Sequence, residues 1–213
     1  DIPIGVLGHS EGGSVAIRLG AHNPLCEFII TLAAPAWRGD SIIMSQARAL
    51  AENASGNWSA ENATLQRRLL DICLSPIPSA LARPVFISTM TKEAGSAGTL
   101  PQVQASIAAS ADAMLSKWYR EFLRYDPSDD ISSVRVPWLA LNGDRDQQVV
   151  PENLETIRHL NPGASVRLIP MHNHLFQKCT TGSPAEYARI TESISGETLA
   201  AIVEWLDTNI VKK

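Results

Sequence analysis

The segment Gly8-His9-Ser10-Glu11-Gly12 constrains this chain more than any other. It follows the apolar run Ile4-Gly5-Val6-Leu7 and precedes Ser14 to Asn23, where Val15, Leu19 and the small residues Ala16 and Gly20 give a close-packing helical face ended by Asn23-Pro24. An apolar run without alternation is the pattern of a parallel strand covered on both faces, with neighbours on either side. The serine is therefore expected in a turn between a buried strand and a helix. Glycines allow such a turn to be sharp and strained, which lifts the serine hydroxyl out above the sheet. Average composition gives only about 0.1 matches to Gly-x-Ser-x-Gly in a chain of this length, and the flanking elements add weight to the match.

The rest of the chain alternates in the same way. Glu27 to Ala33 reads as a second buried strand, broken by Ala34-Pro35-Ala36. From about Arg38 to Arg124 the sequence is rich in Ala, Ser and Leu at helical spacing, as in Leu65, Leu69 and Ile72, and is punctuated by Pro76, Pro78, Pro84 and Gly95-Ser96-Ala97-Gly98. Strand character returns at Val136 to Asn142 and again at Ser165 to Pro170. Between these strands Pro151 opens a helix with an apolar stripe of Leu154, Ile157 and Leu160. A last helix carries Leu199, Ile202, Val203, Leu206 and Ile210 on one face. Strand–helix alternation predicts an α/β fold, a mostly parallel sheet between two helical layers. The expected division is a core of residues 1–37 and 126–213 and an inserted helical cap of residues 38–125.

Composition narrows the function. With 213 residues, 45% of them hydrophobic, the chain can bury a substantial core, and a net charge of −4 lacks the basic excess of a nucleic-acid binder. No apolar run approaches the roughly 20 residues that span a bilayer. Cys26, Cys73 and Cys179 are odd in number and far apart, which suits neither a disulfide framework nor a zinc site. His172 and His174 could share a metal, but no third ligand stands nearby at a telling spacing, and neither metal nor organic cofactor is expected.

A serine nucleophile needs a base for its proton, and the base needs an acid to orient it. On a strand–serine–helix scaffold these follow in the order serine, acid, histidine. Asp144 and Asp146 follow the third strand, and His172 and His174 follow the fourth. All lie beyond the carboxyl ends of strands, where open α/β sheets gather their sites. Spacing alone leaves both choices open.

The chain resembles the α/β-hydrolase superfamily. The likeness is closest to bacterial serine esterases grouped with dienelactone-hydrolase-like and prolyl-oligopeptidase-like proteins. It is carried by Leu7 to Gly13, Trp118 to Pro127, Asn142-Gly143-Asp144-Arg145-Asp146, Asn173 to Gln177 and Thr181 to Tyr187. The resemblance implies Ser10 as nucleophile, Asp146 as acid, His174 as general base and the backbone N–H of Glu11 as an oxyanion donor. It implies cleavage of carboxylic esters through an acyl-enzyme. A prolyl-oligopeptidase-type peptidase and a catalytically incomplete binding fragment are the alternatives. His9, Trp118, Tyr119, Phe122 and Tyr125 are candidates for the substrate pocket, with packing of the helices as the competing role. Arg120 and Arg124 could recognise a carboxylate or simply pair with Glu121 or Asp126. The family fold has about eight strands, and four are expected here, so an N-terminal half of the same fold is the expected protein partner. It would carry the second oxyanion donor and cover the first strand's apolar edge.

Overall fold

A computed structural model describes residues 2–211. Four parallel strands form one sheet in the order β1 (Gly5–His9), β2 (Phe28–Leu32), β3 (Trp138–Gly143) and β4 (Ser165–Ile169). The register runs Val6–Ile29–Trp138 and Leu7–Ile30–Leu139 across the first three strands, and Gly143 meets Ile169 at the far end. Because successive side chains of a strand point to opposite faces, the apolar runs of β2 and β3 feed two cores. Ile29, Trp138 and Ala140 pack with Ile17 of α1 (Glu11–His22), Ile131 of the short α7 (Ser128–Ser133), and Leu154 and Ile157 of α8 (Glu152–Leu160). Ile30, Leu32, Leu139 and Leu141 pack with Ala201, Ile202 and Trp205 of α9 (Gly196–Leu206) on the other face. This is the expected three-layer arrangement. The Trp138 indole satisfies its buried N–H by donating to Thr31 Oγ1 at 3.0 Å.

Two strands depart from uniform burial. β1 was expected between neighbours, yet among the described residues it pairs only with β2, and Leu7 is 53% exposed. β4 is the opposite edge, and only Ile169 of it is fully buried.

The chain divides into two compact units. One comprises the chain up to Asn57 together with everything from Asp126 onward; the other is Trp58–Tyr125. Helix α2 (Gly39–Ser55), placed with the inserted segment by its composition, falls in the first unit. Its start is held by Arg38, which pairs with buried Asp40 through two 2.7 Å hydrogen bonds, and Asn53 near its end donates to Thr181 O at 3.2 Å.

The second unit is helical: α3 (Ala60–Leu74), α4 (Ser79–Glu93), α5 (Pro101–Met114) and α6 (Lys117–Arg124), with a 3₁₀ turn at Gly95–Thr99. Leu70, Cys73, Phe86, Ala111 and Leu123 are buried in it. Arg120 organises the end of α3. Its guanidinium donates to Cys73 O at 2.8 Å, Ile77 O at 3.0 Å and Ser79 Oγ at 3.1 Å, and also to Ser75 O. The last carbonyls of a helix have no partner within it and carry its negative dipole end, so a buried cation there is compensated without a carboxylate. Arg124 donates to Arg120 O at 3.0 Å and Leu74 O at 3.2 Å. Both arginines are thus engaged within the unit.

Replacing Arg120 by Met should lower stability by about 2–4 kcal/mol, because three carbonyls, that of buried Cys73 among them, and the Ser79 hydroxyl lose a charged donor at once. Arg120→Lys, which cannot reach all four acceptors, should recover only part of the loss. Urea denaturation of the three proteins checks both.

Candidate active site

Ser10 follows directly on β1 and stands at the start of α1 with φ 54° and ψ −121°. A serine in this region of backbone space is strained by about 1–3 kcal/mol and persists only where its surroundings over-determine it. Here Ser10 N donates to Leu32 O at 2.8 Å, and Ser10 O accepts from Gly13 N at 2.8 Å. Gly8 is required by close approach, since a Cβ there would lie 2.0 Å from Gly12 O. Gly12 is not, because a Cβ on it would meet open space. The Ser10 side chain makes no capping bond to its helix and the residue is half-buried, so the hydroxyl is not spent on structure.

The loops after β3 and β4 are zipped together beyond the sheet. Asp144 N donates to Ile169 O at 3.1 Å and Arg145 N to His172 O at 3.0 Å. A Cβ on Gly143 would lie 2.2 Å from that same His172 carbonyl, so the approach needs glycine. This pairing brings Asp146 to His174. Asp146 Oδ2 accepts from His174 Nδ1 at 2.8 Å, and its Oδ1 accepts from Gln148 N at 2.8 Å and Val149 N at 3.0 Å. The side chains are 5% exposed for His174 and wholly buried for Asp146. With Nδ1–H donated to the carboxylate, Nε2 of a neutral His174 is left as the basic nitrogen.

The other candidates fall elsewhere. Asp144 Oδ1 accepts from His172 N at 3.3 Å, which braces the turn. His172 is fully buried, with Nδ1 2.6 Å from Pro170 O and Nε2 2.6 Å from Ser195 Oγ. Trp118, Tyr119, Phe122 and Tyr125 belong to the second unit. There Trp118 stacks on Phe122 with ring centroids 5.9 Å apart, and Tyr119 lies 6.0 Å from Trp118 and 6.2 Å from Phe122. Burial pushes the Tyr119 hydroxyl up to about 12.

Among the described residues no hydrogen bond joins Ser10 Oγ to His174; His9 links the two segments. Its Nε2 donates to His174 O at 2.8 Å, and the two rings lie 4.7 Å apart. Phe176 meets the His9 ring edge-on at 6.4 Å. Burial, more than the nearby His174, holds the His9 imidazole below its ordinary pKa of 6.5. This tether was not legible in the sequence, where His9 was only a candidate pocket residue. Its position next to the serine gave no sign that its partner would be a backbone carbonyl 165 residues away.

A serine on a strained strand–helix turn, followed along the chain by an acid and then a histidine, is the order found in the α/β-hydrolase fold. No family model matches the chain, and no curated protein matches it. Among solved structures it is similar to the proline iminopeptidase-related protein TTHA1809 from Thermus thermophilus, with 21% identity over 97% of this chain and 65% of that one and a TM-score of 0.48. It is similar to the meta-cleavage product hydrolase from Pseudomonas fluorescens IP01, with 16% identity, coverage of 96% and 64%, and a TM-score of 0.47. The corresponding figures for the esterase Pf2001 from Pyrococcus furiosus are 16%, 96% and 53%, and 0.43. The chain therefore spans between about half and two thirds of the length of these proteins.

The lowered His9 pKa has a stability consequence. Between its folded pKa and 6.5 the unfolded chain binds more protons than the folded one, so stability falls as pH drops through this window. His9→Asn removes that contribution. Thermal melts from pH 7.5 to 5 should show the wild type losing more of its melting temperature on acidification than the variant.

Proposed function

We propose that this protein is a serine hydrolase that cleaves carboxylic esters through an acyl-enzyme. The observation that carries the proposal is the buried Asp146–His174 hydrogen bond at 2.8 Å, on a loop tied by His9 to the strained serine turn. His174 Nε2 takes the Ser10 proton as Oγ attacks the ester carbonyl, and Asp146 stabilises the resulting imidazolium. The N–H of Glu11 lies in the first turn of α1, where the helix dipole favours the oxyanion of the tetrahedral intermediate. Collapse of that intermediate breaks the C–O bond, and His174 returns the proton to the departing alcohol. Water, deprotonated by the same imidazole, then attacks the acyl carbonyl and releases the acid and free Ser10.

The proposal extends to a partner. The outer side of β1 has no paired strand among the described residues, and Leu7 on one face of β1 is exposed. Unpaired apolar edges are templates for a further strand. An N-terminal half of the same fold suits this edge and would bring the second oxyanion donor.

A fluorophosphonate probe should label the wild type and fail on Ser10→Ala. Asp146→Asn, which favours the wrong imidazole tautomer, should lower kcat for p-nitrophenyl esters by about 10³–10⁴-fold. Absence of labelling at Ser10 in the full-length protein would favour a binding module over an enzyme. Light scattering on the 213-residue chain alone should find oligomers or aggregates; a soluble, non-aggregating monomer would count against the partner.

A further inference from the structure

The loop that carries His174 is gripped at two points by one residue far along the chain. Ser195 N donates to Phe176 O at 2.9 Å, and Ser195 Oγ lies 2.6 Å from His172 Nε2. These contacts fall two residues after His174 and two residues before it. The loop is strained at both ends of this stretch: Met171, just before His172, has φ 60°, and Phe176 itself has φ 58°. Such a conformation holds only where its surroundings fix it.

The hydrogen positions follow from the partners. Pro170 O can only accept, so His172 Nδ1 carries the proton and donates to it. Nε2 of the neutral ring is then an acceptor, and the Ser195 hydroxyl donates to it. Both acceptor sites of Ser195 Oγ are also used, by Thr198 N at 3.1 Å and by the Thr198 hydroxyl at 3.0 Å. Ser195 thus caps α9 and clamps the loop with one fully satisfied oxygen. His172, Ser195 and Thr198 are all buried, so each lost bond would leave a polar atom stranded away from water.

The geometry points to Ser195, acting with His172, as a positioning residue that sets the His174 imidazole against Asp146. The inference rests on the reading of His174 as general base. It adds that α9, otherwise a covering helix of the core, holds the catalytic loop through the residue that caps its start. A misplacement of about 1 Å in a reacting group can lower a rate by about 100-fold, so the clamp should be visible in kcat.

The test compares wild type, Ser195→Ala, Ser195→Thr and His172→Phe, each made in the full-length protein, by three readouts. These are the far-downfield proton resonance of the His174 Nδ1–H, assigned by its loss in His174→Gln, kcat and KM for p-nitrophenyl acetate, and thermal melting. The expected result is a resonance present in wild type and Ser195→Thr and lost in Ser195→Ala and His172→Phe. With that loss, kcat should fall about 10–100-fold while KM stays within about twofold. Resonance and kcat unchanged in the two disruptive variants would overturn the inference, as would a fall in activity that merely tracks the folded fraction. His172→Phe leaves Ser195 capping α9 and decides the matter should Ser195→Ala fail to fold. A wild type that shows the resonance but hydrolyses no ester would sink the esterase reading alone, and the resonance would still judge the clamp.

Discussion

The continuation of β3–β4 pairing beyond the sheet is the constraint on which the candidate site depends. Once Gly143 lets the His172 carbonyl come close and Arg145 N bonds to it, Asp146 and His174 have little choice but to face each other. The carboxylate is then buried with every polar need met by two backbone N–H groups and an imidazole. A buried carboxylate without such partners would be costly, and the loop that follows β3 is folded around supplying them.

Strain is concentrated in the same place. Ser10, Ala33, Met171 and Phe176 are the non-glycine residues with positive φ among those described, and three of the four belong to the serine turn or the His174 loop. Each strained segment is held by bonds to something rigid: Ser10 by β2, the His174 loop by His9 on one side and the start of α9 on the other. The two cores, of Ile29, Trp138 and Leu154 on one face and Leu139, Leu141 and Trp205 on the other, supply the stiffness that such a loop needs.

Much of this was legible beforehand. Apolar runs marked all four strands to within a residue or two, and the stripe of Leu154 and Ile157 marked the face of α8 that meets the sheet. The identity of the serine turn was written in Gly8 and Ser10. Local pattern was less informative where burial depends on neighbours. In α9 the buried face is Ala201, Ile202 and Trp205, while Leu199 and Val203 of the expected stripe are exposed. That helix is apolar around much of its circumference, so spacing alone could not pick the side that docks. β1 reads like a central strand, and among the described residues it is paired on one side only, by β2; α2 has the composition of the inserted helices yet falls in the same unit as the sheet. Arg120 and Arg124, open to two roles by spacing alone, donate to the Cys73 and Leu74 carbonyls, which are brought within reach only when α3 ends beside α6.

The sequence by itself determined the periodicities, and with them the layers, the strand–serine–helix turn and the order serine, acid, histidine, because these depend on side-chain spacing along a local backbone. Only the tertiary structure decided which aspartate meets which histidine, that His9 bonds to a distant carbonyl, and that Ser195 grips the loop on both sides of His174. Those are contacts between segments well separated along the chain. Their partners are often backbone atoms, which every residue carries and no sequence pattern can mark.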